Sequence, residues 1–189
     1  MNARENPFAS AHLHCLRFRP QRTTWEALMA RLAELNYRAA ILGPDGSGKT
    51  TLLEDLGPRL EARGFGVKRL RLTAAQQTFP RGVLKSFLSD LSPNDVILFD
   101  GADHMRRLRW FWFRRRSRRA AGLIVTSHRR GLLARLVECA TSAELLEELV
   151  RELIGPEAAA GEEIPRLYER HKGNLREALR ELYDRYAVR

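Results

Sequence analysis

The feature that most constrains the fold of this chain is a short glycine-rich segment between two apolar runs. Residues 37–42 are mostly apolar, which predicts a buried strand, and residues 51–56 have the spacing of an amphipathic helix. The octet that joins them reads Gly43-Pro44-Asp45-Gly46-Ser47-Gly48-Lys49-Thr50. Glycine has no Cβ and accepts positive φ, so its three positions let the backbone turn sharply. We therefore expect a strand, a tight loop and a helix in direct succession.

The octet matches the phosphate-binding pattern G-x-x-x-x-G-K-[ST], the P-loop, at every fixed position. In this arrangement the loop N–H groups and the positive end of the next helix point at the β-phosphate of a nucleoside triphosphate. Lys49 reaches the β- and γ-phosphate oxygens, and the Thr50 hydroxyl is a ligand for Mg²⁺. The alternative, a strand-to-helix turn without a ligand, leaves the Lys-Thr pair unexplained. The predicted nucleotide-binding residues are Gly43, Pro44, Asp45, Gly46, Ser47, Gly48, Lys49, Thr50 and Thr51.

The composition is that of a globular protein, with 44% hydrophobic and 30% charged residues in a chain of 189. No apolar stretch approaches the roughly 20 residues that span a bilayer, and charged residues interrupt the N-terminus. We therefore expect no transmembrane segment, no secretory signal and a cytoplasmic location. Cys15 and Cys139 lie far apart, which favours small buried thiols over a disulfide framework.

Strands and helices alternate between residues 23 and 140. Strands are predicted at 37–42, 66–72, 95–100, 122–126 and 135–139. Helices are predicted after the capping box Thr23-x-x-Glu26, after the octet, and at 81–91, 104–119 and about 130–135. The helix at 81–91 is expected to turn Val83, Phe87, Leu88 and Leu91 inward. Such alternation predicts a parallel five-stranded sheet with helices on both faces, preceded by an extended lead-in at 1–22.

After residue 140 the pattern contains helices only. A capping box at Thr141-x-x-Glu144 begins the first helix, and Gly155-Pro156 ends it. Residues 158–161 are expected to form a loose connector, followed by helices at about 162–171 and 174–187. The apolar stripes of the first and last helices are Leu145, Leu146, Leu149, Val150 and Leu153, and Leu175, Ala178, Leu179, Leu182 and Tyr186. We interpret 141–189 as a small three-helix lid on the 23–140 core.

The third predicted strand supplies a second site motif. Four apolar residues lead into Asp100, the Walker B pattern in which a carboxylate at the strand end holds Mg²⁺ through its water shell. The alternative is a buried strand that ends in a polar residue. The P-loop upstream favours the metal interpretation.

The residues after Asp100 depart from the commonest ATPase pattern. Gly101 stands where many hydrolysing P-loop enzymes have a glutamate that orients the attacking water. The string Asp100-Gly101-Ala102-Asp103 resembles the extended Walker B of NACHT-type ATPases of the STAND group, in which the later acid is the base. This resemblance makes Asp103 the candidate general base. Its alternative role is the N-cap of helix 104–119.

Two further segments resemble sensors of AAA+ and STAND ATPases. Thr126 and Ser127, followed by His128 and Arg129, end the fourth strand, as a γ-phosphate sensor does on the strand between the P-loop and Walker B strands. His128 or Arg129 is the alternative sensor, and a helix cap also explains the two hydroxyls. Residues 173–179 resemble the sensor-2 helix, with Arg176 near its start as the γ-phosphate ligand. Here Asn174 is expected to be the N-cap with Glu177 completing a capping box, and a solvated charge is the alternative for Arg176.

The resemblance to AAA+/STAND P-loop ATPases covers about residues 25–187. It implies a three-layer α/β P-loop NTPase with a C-terminal helical lid, binding ATP and Mg²⁺ and hydrolysing ATP to drive assembly or act on a macromolecular partner. The catalytic candidates are Lys49, Asp100, Asp103, Thr126, Ser127 and Arg176, with Thr50 and Asp100 at the metal. Because Gly101 replaces the glutamate, a nucleotide-gated binding module with negligible turnover is the alternative. A small-molecule kinase fits less well because segment 73–94 leaves little room for an acceptor site.

Segment 104–119 contains eight arginines and no acidic residue. A continuous helix would place Met105, Leu108 and Trp112 on one stripe against the sheet, broadened by Trp110, Phe111 and Phe113. Three interpretations of its basic side stay open: a merely solvated surface, binding to a nucleic-acid backbone, or attachment to an anionic membrane or an acidic protein. A protein partner or a homo-oligomer is also compatible with the sequence.

Overall fold

The computed structural model describes residues 6–9, 16–20, 23–160 and 163–187, apart from the side chain of Ala158. The chain divides into two compact units. The sheet unit comprises Phe18–Gly43 and Lys49–Glu138. The helical unit comprises Pro44–Gly48, the chain from Cys139 onward and the N-terminal residues up to Arg17.

The five strands lie in the sheet unit and form one parallel sheet in the order β2-β3-β4-β1-β5. They are β1 (Arg38–Leu42), β2 (Gly66–Arg71), β3 (Asp95–Asp100), β4 (Gly122–Ser127) and β5 (Arg135–Glu138). The predicted α/β class and five-stranded parallel sheet are therefore confirmed. Because β4 pairs with both β1 and β3, the carboxyl ends of these three strands are neighbours at one edge of the sheet.

The helices of the sheet unit follow the predicted alternation. They are α1 (Trp25–Glu34), α2 (Lys49–Glu61), α3 (Val83–Ser89) and α4 (Arg107–Arg116), with 3-10 turns at Ala102–His104 and Ser117–Arg119. The central strands are almost entirely apolar and buried, because both faces of a parallel sheet are covered. The Thr24 hydroxyl caps α1 by accepting a hydrogen bond from the Ala27 N–H at 3.2 Å, so the cap is Thr24 rather than Thr23. In the described part of the chain, no helix has the length and apolar content to cross a bilayer.

The helical unit is built around one apolar core. Its helices are α5 (Ala143–Ile154), α6 (Pro156–Ala160), α7 (Ile164–Arg170) and α8 (Leu175–Ala187). The predicted stripes of α5 and α8 pack in this core, which confirms their inward faces. Ser142 rather than Thr141 caps α5, since its Oγ accepts a hydrogen bond from the Leu145 N–H at 3.2 Å. The Thr141 hydroxyl instead lies 3.0 Å from the Tyr168 hydroxyl.

The N-terminal segment contributes to the helical unit through Phe8. This side chain is buried in the helical core, with its ring edge-on to Tyr186 at 5.1 Å between centroids. The buried Asn6 side chain orients the segment by donating to the Tyr183 carbonyl at 2.8 Å and accepting from the Phe8 N–H at 3.0 Å. Residues 7–9 form a turn rather than the predicted extended lead-in. The rest of that prediction falls partly outside the described residues, as does Cys15, whereas Cys139 is buried as expected.

Two predicted elements are wrong. The helix at 130–135 is absent, because Gly131 takes a φ of 98° and residues 128–134 form turns before β5. Residues 158–160, predicted as a connector, belong to α6, where Pro156 at the first position and a run of alanines favour a helix. The helix predicted at 81–91 is confirmed as the shorter α3, with Leu88 buried and Phe87 and Leu91 packed against the same core, whereas Val83 is exposed.

The predicted inward stripe of segment 104–119 is wrong at Leu108 and Trp112, whereas Met105 is buried as expected. The backbone is extended at Met105, so the 3-10 turn and α4 are separate elements and the helical phase restarts at Arg107. Trp110 and Phe113 face inward, and the Phe113 ring lies edge-on to Phe99 at 5.3 Å. Leu108, Phe111 and Trp112 are instead 88%, 71% and 41% exposed.

The orientation of α4 predicts opposite outcomes for two neighbouring phenylalanines. Phe113→Ala should lower the free energy of unfolding by about 3–5 kcal/mol, because it leaves a cavity beside Phe99. Phe111→Ala should change it by less than about 0.5 kcal/mol, since that ring is largely in solvent. Urea unfolding of both variants measures the difference. Equal losses would contradict the observed helical phase.

Candidate functional site

The glycine loop has the conformation that its sequence predicts. Strand β1 ends at Leu42 and helix α2 begins at Lys49, which confirms the strand–loop–helix succession. All three glycines have positive φ, at 152° for Gly43, 70° for Gly46 and 82° for Gly48. Because residues with a Cβ rarely adopt such angles, glycine is required for this loop. The Ser47 hydroxyl donates to the Pro44 carbonyl at 2.8 Å and closes the turn.

The two predicted metal ligands meet in the sheet unit. Thr50 lies in the first turn of α2 and Asp100 at the end of β3, and the Thr50 Oγ1 is 3.1 and 3.2 Å from the two Asp100 carboxylate oxygens. Hydroxyl and carboxylate oxygens are the ligands that Mg²⁺ prefers. The structure therefore brings an oxygen pair of the right chemistry together at the carboxyl edge of the sheet.

The hydroxyls at the end of β4 have structural partners. The Thr126 Oγ1 donates to Asp100 Oδ1 at 2.6 Å and accepts from the Gly101 N–H at 2.8 Å, so this buried hydroxyl orients the carboxylate. The Ser127 Oγ donates to the Arg129 carbonyl at 2.7 Å and accepts from the Arg129 N–H at 2.9 Å, which closes a turn rather than capping a helix. Their role as γ-phosphate sensors stays a prediction.

Asp103 is held in place by His128. It lies in the 3-10 turn after β3, and its Oδ2 accepts from the His128 backbone N–H at 3.2 Å and faces the His128 Nδ1 at 3.0 Å. The side chain is only 7% exposed, and among the described residues its Oδ1 has no hydrogen-bond partner. The predicted alternative, an N-cap of the helix, is wrong because Arg106 precedes α4.

The charge of Asp103 follows from these contacts. Burial raises the pKa of this carboxyl, but the hydrogen bonds from the His128 side chain and backbone outweigh burial, and the pKa lies below its usual 3.8. Asp103 is therefore a carboxylate at neutral pH, with one oxygen fixed and the other left to accept a hydrogen bond.

Steric constraints explain the missing glutamate at position 101. Gly101 has a φ of 74°, and a Cβ built there would lie 2.2 Å from the Leu72 carbonyl oxygen. Since that atom belongs to the backbone, a side chain at position 101 would require the β2 end to move. No glutamate fits where the commonest ATPase pattern has one.

Arg71 is a site residue that the sequence analysis missed. It ends β2 opposite Asp100 in the parallel register, and its Nε lies 3.5 Å from Asp100 Oδ2. The strand register supplies the signal, because it places the last residue of β2 beside Asp100. Because β2 also contains Lys68 and Arg69, its composition does not single out this arginine.

In the helical unit, the tip of the glycine loop packs against the start of α8. A Cβ built on Gly46 would lie 2.0 Å from the Asn174 Oδ1 and 3.1 Å from the Arg176 backbone nitrogen. Asn174 is the N-cap of α8, as predicted, because its Oδ1 accepts from the Glu177 N–H at 3.2 Å. The Asn174 N–H donates to the His171 carbonyl at 3.0 Å. The Arg176 side chain is exposed, and its sensor role stays a prediction.

A scan of the chain against models of protein families and a search of curated proteins gave no match.

The Asp103–His128 contact predicts a pH-dependent stability. Asp103→Asn should cost about 1–3 kcal/mol at pH 7, because it removes hydrogen bonds to a charged group. Since the folded pKa lies below the usual 3.8, this contribution is present above that pH and is lost as the pH falls through the folded value. Urea unfolding between about pH 7 and 3 should show the difference from the native chain shrinking. The exposed Asp90→Asn is the control, and a difference independent of pH would contradict the assignment.

The Gly46–Asn174 contact predicts an excess cost for a methyl group at the loop tip. Gly46→Ala and Gly64→Ala both place alanine at positive φ, but no atom lies within 4 Å of a Cβ on Gly64. Gly46→Ala should therefore cost about 1–3 kcal/mol more than Gly64→Ala. The substitution Asn174→Gly costs only a few tenths of a kcal/mol as a change of the helix cap. Combined with Gly46→Ala, it should remove the excess cost over Gly64→Ala. Denaturant unfolding of the four variants tests this, and an excess that survives Asn174→Gly would rule the contact out as its cause.

Proposed function

We propose that this protein binds ATP with Mg²⁺ through the loop Gly43–Thr50 and hydrolyses it slowly or on activation by a partner. One observation carries the proposal: the Thr50 that completes the P-loop octet is hydrogen-bonded to Asp100, the residue that ends the Walker B strand. These two motifs were identified separately in the sequence. Their meeting at one edge of the sheet supports a common site.

The donor set fits magnesium bound together with phosphates. Among residues 6–9, 16–20, 23–160 and 163–187, no group of three or more His, Cys, Asp or Glu side chains could hold a metal ion. Mg²⁺ in phosphate-transfer sites needs only one or two protein ligands besides phosphate oxygens and water, and Thr50 with Asp100 meets this need. Thr50 and Asp100 would hold the ion, which would supply positive charge to neutralise the phosphates.

The residues of the loop would bind the triphosphate. Lys49 is the first residue of α2 and Thr50 the second, so the loop ends at the positive end of a 13-residue helix. The N–H groups of the loop would donate to phosphate oxygens, and the Lys49 ammonium would neutralise negative charge on the β- and γ-phosphates.

Asp103 is the residue best placed to orient a water molecule. His128 fixes Oδ2, whereas Oδ1 is buried without a hydrogen-bond partner among the described residues, so it could accept a hydrogen bond from a water molecule enclosed beside it. Because its pKa is lowered, the carboxylate is a weak base that acts mainly by orientation. Arg71 would neutralise part of the negative charge of the Asp100 carboxylate beside it.

The strand order supports an additional-strand P-loop ATPase of AAA+/STAND type. β4 lies between β1, which precedes the loop, and β3, which ends in Asp100. The chain after residue 138 is all helical in its described part, as in this family, and the resemblance makes Arg176 the candidate γ-phosphate ligand. A homo-oligomer or another macromolecular partner would complete such a system.

A nucleotide-gated binding module without turnover is the second candidate. It is favoured by one observation, the steric exclusion of glutamate from position 101. Both candidates require nucleotide binding, and they differ only in hydrolysis.

Calorimetry and a steady-state ATPase assay, both with Mg²⁺, test the proposal and separate the candidates. Lys49→Ala should weaken ATP binding by at least about tenfold, because each charge-assisted hydrogen bond contributes about 1.5–3 kcal/mol. The exposed Lys85→Ala is the matched control and should bind normally. Asp103→Asn should retain binding but lose about 10²–10⁴-fold in turnover.

The outcomes of these assays are distinct. Absence of ATP binding to the folded native chain would overturn the proposal. Binding without turnover, also at high protein concentration, would favour the binding module. An Asp103→Asn variant that hydrolyses normally would remove Asp103 from the mechanism.

A further inference from the structure

The surface of α4 and its flanking turns carries a concentrated positive charge. We call it the arginine surface, and its eight arginines are all exposed: Arg106, Arg107, Arg109, Arg114, Arg115, Arg116, Arg118 and Arg119. Among the described residues, no carboxylate forms an ion pair with any of them. The Arg38 guanidinium, which donates to the Ser117 and Ala120 carbonyls, has its pKa lowered by burial and by the nearby charges of Arg118 and Arg114. The positive charge of the arginine surface is therefore available to bind an external anion.

Three large apolar side chains project from the middle of this surface. Leu108, Phe111 and Trp112, which we call the apolar ridge, lie at i, i+3 and i+4 and so share one side of α4. Trp110 and Phe113 occupy the opposite side and pack on Phe99. Because this packing fixes the helix, the ridge is presented to solvent without any opening of the core.

Arginines border the apolar ridge on both sides. Arg107 and Arg114 lie on one flank of the helix, and Arg109 and Arg116 lie on the other, because the members of each pair are about two helical turns apart. The Arg116 guanidinium carbon is 5.7 Å from the centre of the Trp112 ring. An apolar strip flanked by cations is thus built into a rigid helix.

We propose that α4 docks on an anionic lipid surface, with the apolar ridge at the boundary of the acyl chains and the arginines among the headgroups. Helices that lie in a membrane interface combine Lys or Arg with Trp, Phe and Leu in this way. A nucleic-acid backbone would satisfy the arginines equally well, and aromatic rings can stack on bases. Leu108, the most exposed of the three, has no partner of that kind on a nucleic acid. The ridge therefore favours lipid.

Co-sedimentation with vesicles tests the proposal without nucleotide. The native chain should bind vesicles containing about 30% phosphatidylserine at least tenfold more tightly than vesicles of phosphatidylcholine alone, since each arginine near an anionic surface contributes about 1 kcal/mol. Phe111→Ser/Trp112→Ser should weaken binding by at least about tenfold through lost apolar burial. Arg114→Ala/Arg115→Ala/Arg116→Ala should weaken it by on the order of 100-fold. The control Arg63→Ala/Arg81→Ala/Arg180→Ala removes as many exposed arginines elsewhere and should change binding only a few-fold.

Tryptophan fluorescence locates the contact. Vesicles whose acyl chains carry bromine should quench the native chain, and Trp112→Phe should lose most of this quenching, whereas Trp25→Phe should retain it. Circular dichroism verifies that every variant is folded.

Several results would overturn the proposal. These are no binding to anionic vesicles at low salt, unchanged binding of the ridge variant, or quenching that survives Trp112→Phe. The proposal would also be overturned if the chain bound single-stranded or duplex DNA under conditions where it does not bind vesicles. That result would assign the arginine surface to nucleic acid. Because these assays contain no ATP, their failure leaves the proposed nucleotide site untouched.

Discussion

The carboxylate of Asp100 is the point on which the geometry of the sheet edge depends. Its two oxygens contact the hydroxyls of Thr50 and Thr126 and lie beside the Arg71 guanidinium. Each partner comes from a different element, α2, β4 and β2, and only the order β2-β3-β4-β1 brings them to one place. Because Thr126 also accepts from the Gly101 N–H, the same hydroxyl fixes the start of the turn that carries Asp103. The Asp100 carboxylate is thus oriented by contacts from three different elements of the fold.

The backbone after β3 determines where an acidic side chain can lie. Gly101 adopts a left-handed conformation close to the Leu72 carbonyl, so the chain has no space for a side chain there. Two residues later the 3-10 turn places Asp103 against His128, where burial and hydrogen bonding leave a carboxylate with one oxygen free. The departure from the commonest ATPase pattern is therefore a consequence of backbone geometry rather than a simple loss of a functional group.

Features that depend on residue type and local spacing could be predicted from the sequence. The inward face of an interrupted helix and the pairing of residues between strands could not. The octet, the apolar strands and the caps at Asn174 and near Thr24 follow from residue type and spacing. The inward face of α4 was missed because the extended backbone at Met105 interrupts the helical period that the sequence pattern assumes to be continuous. Arg71 could be found only from the pairing of β2 with β3, and Phe8 lies in a segment without any periodicity. Such contacts arise between distant residues, where a single sequence carries little signal.

The burial of Phe8 has a practical consequence for work on this protein. Residues 1–22 look dispensable, and trimming them would be an ordinary first step towards a better-behaved sample. That deletion would take away an aromatic ring that fills the interior of the helical unit, together with the Asn6 amide that orients it. The shortened polypeptide would carry a hole lined by Tyr186 and its neighbours.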